Sequence, residues 1–189
     1  MTTSTAPAPA GVAQSLRRLY FTRFAFALGW AGLLFATASS LGPVSIALLV
    51  LYPVFDVAAA IVDARSAKAA KPVAGLYANA AISLLAAAGL AVAASSGIPG
   101  VLRVWGAWAI VAGLVQLVVG VLRRGLGGQW PMILSGGISV LAGTSFILQA
   151  TKDGASLATL AGYATLGGVF FLVSALRLRA GAGPRPHHG

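Results

Sequence analysis

The 189-residue chain has no cysteine and no glutamate, and only three acids, Asp56, Asp63 and Asp153. Without cysteine there can be no disulfides, thiolate metal ligands or cysteine nucleophiles, and the sequence says nothing about redox compartment. Only 8% of the residues are charged, against about a quarter in a soluble globular domain, which excludes a water-soluble enzyme. The two histidines, His187 and His188, lie in a tail rich in Gly and Pro and read as solvated residues, so neither a metal nor another cofactor is expected. No Gly-rich phosphate loop with a lysine is present, and no Ser, His and acid can meet inside a membrane.

Hydrophobic residues make up 58% of the chain and the mean hydropathy is +0.90. The net charge of +10 suits nucleic acid only where bases cluster on a folded polar surface. Here the bases punctuate apolar runs, and nucleic acid is not an expected partner. A window of about 19 residues finds apolar runs at 21–40, 43–63, 73–95, 99–122, 130–150 and 155–177. Each reaches the roughly 20 residues that cross a bilayer core. The expectation is an all-α polytopic membrane protein with six transmembrane helices over residues 20–179. A disordered N-terminus over 1–19 and a disordered tail over 180–189 flank it.

Eleven bases (Arg17, Arg18, Arg23, Arg65, Lys68, Lys71, Arg123, Arg124, Arg177, Arg179 and Arg185) fall on one side of these runs, and two, Arg103 and Lys152, on the other. The positive-inside rule then places both termini in the cytoplasm, for a multi-pass protein of a bacterial inner membrane. Arg17-Arg18 before an apolar run ending Ala36-Thr37-Ala38 also fits a twin-arginine signal. Cleavage there would leave five spans and no soluble passenger, so the first run is read as retained.

The chain repeats itself. A shift of 55 residues sets Trp108-Ala109 on Tyr163-Ala164, Gly113 on Gly168 and Arg124 on Arg179. A shift of 56 sets Ile82-Ser83 on Ile138-Ser139 and Asn79 on Ser135, and a weaker shift of 60 sets Asp56 on Gln116. Three parallel helical-hairpin repeats follow, with a pseudo-threefold axis along the membrane normal as the economical arrangement. Glycines and alanines at seven-residue spacing (Gly106, Gly113, Gly120; Gly136, Gly143; Gly154, Ala161, Gly168, Ala175) mark close helix contacts of left-handed crossing. The same faces permit a homo-oligomer unless the hairpins consume them.

The hairpin repeat, with a Gly-rich helix closing on a basic turn over Gly113-Leu114-Val115-Gln116-Leu117-Val118-Val119-Gly120-Val121-Leu122-Arg123-Arg124, resembles the HdeD-like family of six-span bacterial inner-membrane proteins over residues 73–179. The resemblance implies a part in acid or stress resistance, without a defined biochemical activity. Helices one and two depart from the family repeat, the stretch from Leu51 to Arg65 being more polar.

Asp56 is the one acid deep inside a run, and an intramembrane ionisable group marks a functional-site hypothesis. Asp56 lies seven residues inside Asp63, Asn79 seven inside Pro72, Gln116 seven inside Arg123 and Ser135 six inside Gln129. All four fall roughly 10 Å deep at 1.5 Å per residue. Asp56 shares a helix side with Tyr52, Ala59, Ala60 and Asp63, and so is expected to face a cytoplasm-open pocket lined by Tyr52, Asp63, Asn79, Gln116 and Ser135. Arg65, Arg123 and Arg124 would ring its mouth, an arrangement suited to an amphiphile with an anionic head. In the plainer alternative the amides hydrogen-bond Asp56 and specify register, and Asp63 with Arg65 forms an interfacial pair. Pro53 is expected to kink its helix and free a carbonyl. Trp105, Trp108 and Trp130 are expected to anchor at the membrane boundaries, with Trp30 deeper.

Three functions stay open. The first is a non-enzymatic membrane protein whose pocket is structural or binds a lipid. The second is an intramembrane enzyme on a lipid or isoprenoid, with Asp56 as general acid and Tyr52, Phe55, Trp30 and Tyr77 as cation-stabilising rings. The third is a small proton-coupled permease.

Overall fold

The computed structural model describes residues 10–67, 74–122 and 130–180. They form six α-helices: α1 (Ala10–Ala36), α2 (Pro43–Ala67), α3 (Ala74–Ala93), α4 (Gly97–Leu122), α5 (Trp130–Gln149) and α6 (Ala158–Ala180). No strand occurs among the described residues. The sequence places the ends of α2 to α6 to within a few residues. It errs at α1, which already starts at Ala10, inside the stretch read as disordered. Residues 10–19 hold no proline or threonine, and their Ala, Gln, Leu and Arg sustain a helix; the Thr- and Pro-rich composition that suggested a coil is confined to the residues before them.

Local chemistry sets the turns. Pro43 opens α2, where its missing N–H costs nothing. Ser45 accepts from the Gly42 N–H at 2.9 Å, satisfying a donor ahead of the first turn. The short 3₁₀ turn Ala94–Ser96 ends at Gly97, whose φ of 72° suits a residue without Cβ. Gly89 lies beside Val104, and Gly100 beside Ala93, so α3 and α4 fold back on each other.

Among the described residues, four segments are long and apolar enough to cross a membrane: Gln14–Ala36, Pro43–Arg65, Gly75–Val118 and Ala158–Arg177. The third holds both α3 and α4. A shorter apolar helix covers Ile133–Gln149.

Helix α1 lies along α6, α2 along α3 and α4 along α5, and looser contacts join α1 to α2, α3 to α4 and, least of all, α5 to α6. Contacts therefore run in chain order and close between α1 and α6. The α4–α5 seam is made by glycine: a Cβ on Gly106 would meet the Gly143 carbonyl at 2.6 Å, and one on Gly136 the Gly113 carbonyl at 2.7 Å. These small-residue faces are consumed inside the chain. Gly32 and Gly162 stand beside open space.

The contiguous core is Trp30, Leu34, Leu48, Leu49, Leu90, Leu102, Trp105, Phe146, Leu157 and Leu160 with their neighbours. All lie toward the C-terminal ends of α1, α3 and α5 and the N-terminal ends of α2, α4 and α6. Large apolar side chains thus fill one half of the bundle, Tyr52 packs against them, and Asp56, Asn79, Gln116 and Ser135 fall in the other half. Trp105 is fully buried and Trp108 half-buried, which corrects their reading as boundary anchors. Trp105 shares one stripe of α4 with Leu102 and Ala109, both buried, so that face turns to the core rather than to lipid. Trp130 is 78% exposed.

Helix α2 runs on through Pro53, which offers no N–H to the Leu49 carbonyl. Beside this gap the Trp30 Nε1–H donates to the Leu48 carbonyl at 2.6 Å. Trp30→Phe removes that donor and is expected to lower stability by about 1 kcal/mol. Reversible unfolding in micelles measures it; unchanged stability would show that the bond contributes nothing.

Candidate functional site

Asp56 projects from the side of α2 that carries Ala59 and Ala60, both buried. One carboxylate oxygen accepts from the Arg23 guanidinium of α1. The other accepts from Asn79 Nδ2 and from Ser83 Oγ of α3, each at 2.8 Å. Asn79 and Ser83 are four residues apart, so both reach the carboxylate from one face of α3. The Arg23 guanidinium also lies over the Phe171 ring of α6, 4.2 Å from its centroid. Three helices therefore meet on one carboxylate, and α6 covers its counter-ion. The Arg23 and Asp56 side chains are 17% and 13% exposed, and a charge pair so far from water is tolerable only where further hydrogen bonds satisfy it. Asn79, Ser83 and the Phe171 ring supply those contacts.

Of the five residues expected to line the pocket, the structure joins Asn79 to Asp56. Gln116 and Ser135 are half-buried on α4 and α5, and neither hydrogen-bonds Asp56, so the layer expected across four helices is divided. The reason is the α4–α5 seam. A Cβ on Gly136 would meet the Leu117 backbone nitrogen at 2.8 Å, which sets Gln116 and Ser135 at one level on the α4–α5 pair. Tyr52 lies outside the carboxylate's hydrogen bonds, with Trp30, Trp105, Trp108 and Phe26 all within 6.2 Å of its ring centroid. Asp63 is half-buried two turns along α2, and Arg65 is exposed. Arg123 and Arg124 lie outside the described residues. Tyr77, proposed as a cation-stabilising ring, is 48% exposed and takes no part in the aromatic cluster.

Arg23 and Ser83 were not among the expected site residues. Arg23 counts in the sequence as one of the cytoplasmic bases; the structure turns it inward. A signal for it existed: the shift of 56 that sets Asn79 on Ser135 also sets Arg23 on Asn79. Ser83 appears in the same repeat, matched with Ser139, and it lies one turn from Asn79 on the same face of α3, which is the signal that could have found it.

The chemistry open to this carboxylate is narrow. Both oxygens are acceptors and three donors point at them, which is the pattern of a fixed anion. A general acid needs a bound proton directed at a substrate, and these three donors take up most of the roughly four lone-pair positions a carboxylate offers. Compared with protein-family models, curated proteins and solved structures, the chain matches none.

Proposed function

We propose that the chain is a non-enzymatic integral protein of a bacterial inner membrane. It has six spans arranged as three parallel hairpin repeats, with both termini cytoplasmic. Asp56 holds α1, α2, α3 and α6 in register, and the polar interior beside it receives a lipid. The observation that carries this reading is the convergence of Arg23, Asn79 and Ser83 on Asp56, which commits the carboxylate to hydrogen bonding.

The repeat gains support from equivalent contacts. A Cβ on Gly113 would meet that of Ser139 at 2.8 Å, and one on Gly168 that of Ala27 at 3.2 Å. Gly168 follows Gly113 by 55 residues, and Ser139 follows Ala27 by twice 56. The gathering of large apolar side chains in one half of the bundle supports a lipid site in the other. The resemblance of residues 73–179 to the HdeD-like family adds stress or acid resistance as the physiological setting.

Native mass spectrometry of gently purified protein tests the reading. Wild type and the double variant Arg23→Met/Asp56→Leu are both expected to retain a lipid. Loss of the lipid from a folded double variant would make the charge pair part of the ligand site; absence of any lipid from wild type would end the lipid-binding reading.

A further inference from the structure

The polar interior is used differently in its two halves. Among α1, α2 and α3, the charged pair and its two neutral donors are committed to one another. Among the described residues of α4, α5 and α6, one side-chain hydrogen bond joins two helices, between Ser139 Oγ and Tyr163 Oη at 2.8 Å. Gln116 and Ser135 make none among the described residues. These groups nonetheless face inward. Gln116 follows the buried Trp105 and Ala109 by eleven and seven residues, and Ser135 and Ser139 precede the buried Phe146 by eleven and seven, so each lies on its helix's core-facing stripe. Phe146 itself packs edge-on against Tyr163, with centroids 5.6 Å apart.

We propose that Gln116, Ser135 and the Ser139–Tyr163 hydroxyl pair form the head-group site for a neutral amphiphile, an alcohol or carbonyl on an apolar chain, that enters between α5 and α6. This rests on the lipid-binding reading above and names its ligand class. A carboxamide and three hydroxyls both donate and accept, which matches an alcohol or carbonyl oxygen. A carboxylate or ammonium head would lie in a low-dielectric interior where Arg23 and Asp56 already neutralise each other, and an unpaired charge there is costly. Entry is set by packing: α5 and α6 touch least of all neighbouring pairs. Gly167, one turn from Tyr163 on α6, has nothing within 4 Å of where a Cβ would stand.

The test uses the full chain in micelles, with tryptophan fluorescence as readout. The probes are a long-chain alcohol brominated at mid-chain and the matching ionised fatty acid. Saturable quenching by the alcohol is expected, with the acid at least about tenfold weaker. Gln116→Leu and Tyr163→Phe should each weaken the alcohol by about threefold to tenfold, the size of one neutral hydrogen bond. Ser145→Ala, on the exposed face of α5, should leave it unchanged. Ser139→Ala stands in if either variant fails to keep the wild-type circular dichroism. Saturable quenching that the variants do not alter, or equal affinity for acid and alcohol, overturns the head-group assignment alone. No saturable quenching by either probe overturns the lipid-binding reading with it.

Discussion

Arg23→Met is expected to lower the unfolding free energy by about 3–5 kcal/mol, the cost of leaving a buried charge without its partner. The loss falls on Asp56, which keeps Asn79 and Ser83 as donors at 2.8 Å but loses its counter-ion in a low-dielectric site. The double variant Arg23→Met/Asp56→Leu should recover most of the stability, because replacing a whole buried pair with apolar side chains is often neutral or favourable. Unfolding of the single variants and the double variant, run as a cycle, gives the coupling energy directly. A single variant as stable as wild type would mean that water solvates the carboxylate, and the four-helix node would lose its energetic basis.

Gly143→Ala should cost about 1–3 kcal/mol through overpacking, and more if the whole α4–α5 seam opens. Its new Cβ would stand 2.5 Å from the Gly106 carbonyl and 2.8 Å from Ile110 Cγ1, and a backbone atom cannot swing aside as a side-chain end can. Gly32→Ala and Gly162→Ala provide the contrast. Neither has an atom within 4 Å, so each should be neutral or gain up to about 1 kcal/mol from helix propensity. Thermal unfolding of the three variants in one detergent decides the matter. Similar losses in all three would show that glycine matters here for reasons other than close approach.

The site was legible wherever one helix's own periodicity carries the information. Asp56 declares itself as an acid inside an apolar run, and its side of α2 follows from the alanines one turn away. Asn79 was reachable because depth can be counted from each end of a run. Arg23 was misread because charge near the end of a run obeys two rules at once. It can mark the cytoplasmic side, or it can pair inside the bundle, and only a partner distinguishes them. Gln116 and Ser135 share the depth of Asp56, but depth is one coordinate, and azimuth around the bundle is another. The tryptophans teach the same lesson: Trp105 and Trp108 lie near a helix end, yet the stripe they share with Leu102 and Ala109 turns them to the core.

By itself the sequence determined the helical class, the placing of α2 to α6 to within a few residues, the apolar character of the helices and the buried acid, since these depend on hydropathy and on intervals within one segment. The tertiary structure decided which donors reach Asp56, which glycines are closed by a neighbouring backbone, and that large apolar side chains fill one half of the bundle while polar groups occupy the other. Such pairings join residues tens of positions apart. They are set by how helices rotate and approach until buried polar atoms are satisfied and small faces close, and no single segment contains that information.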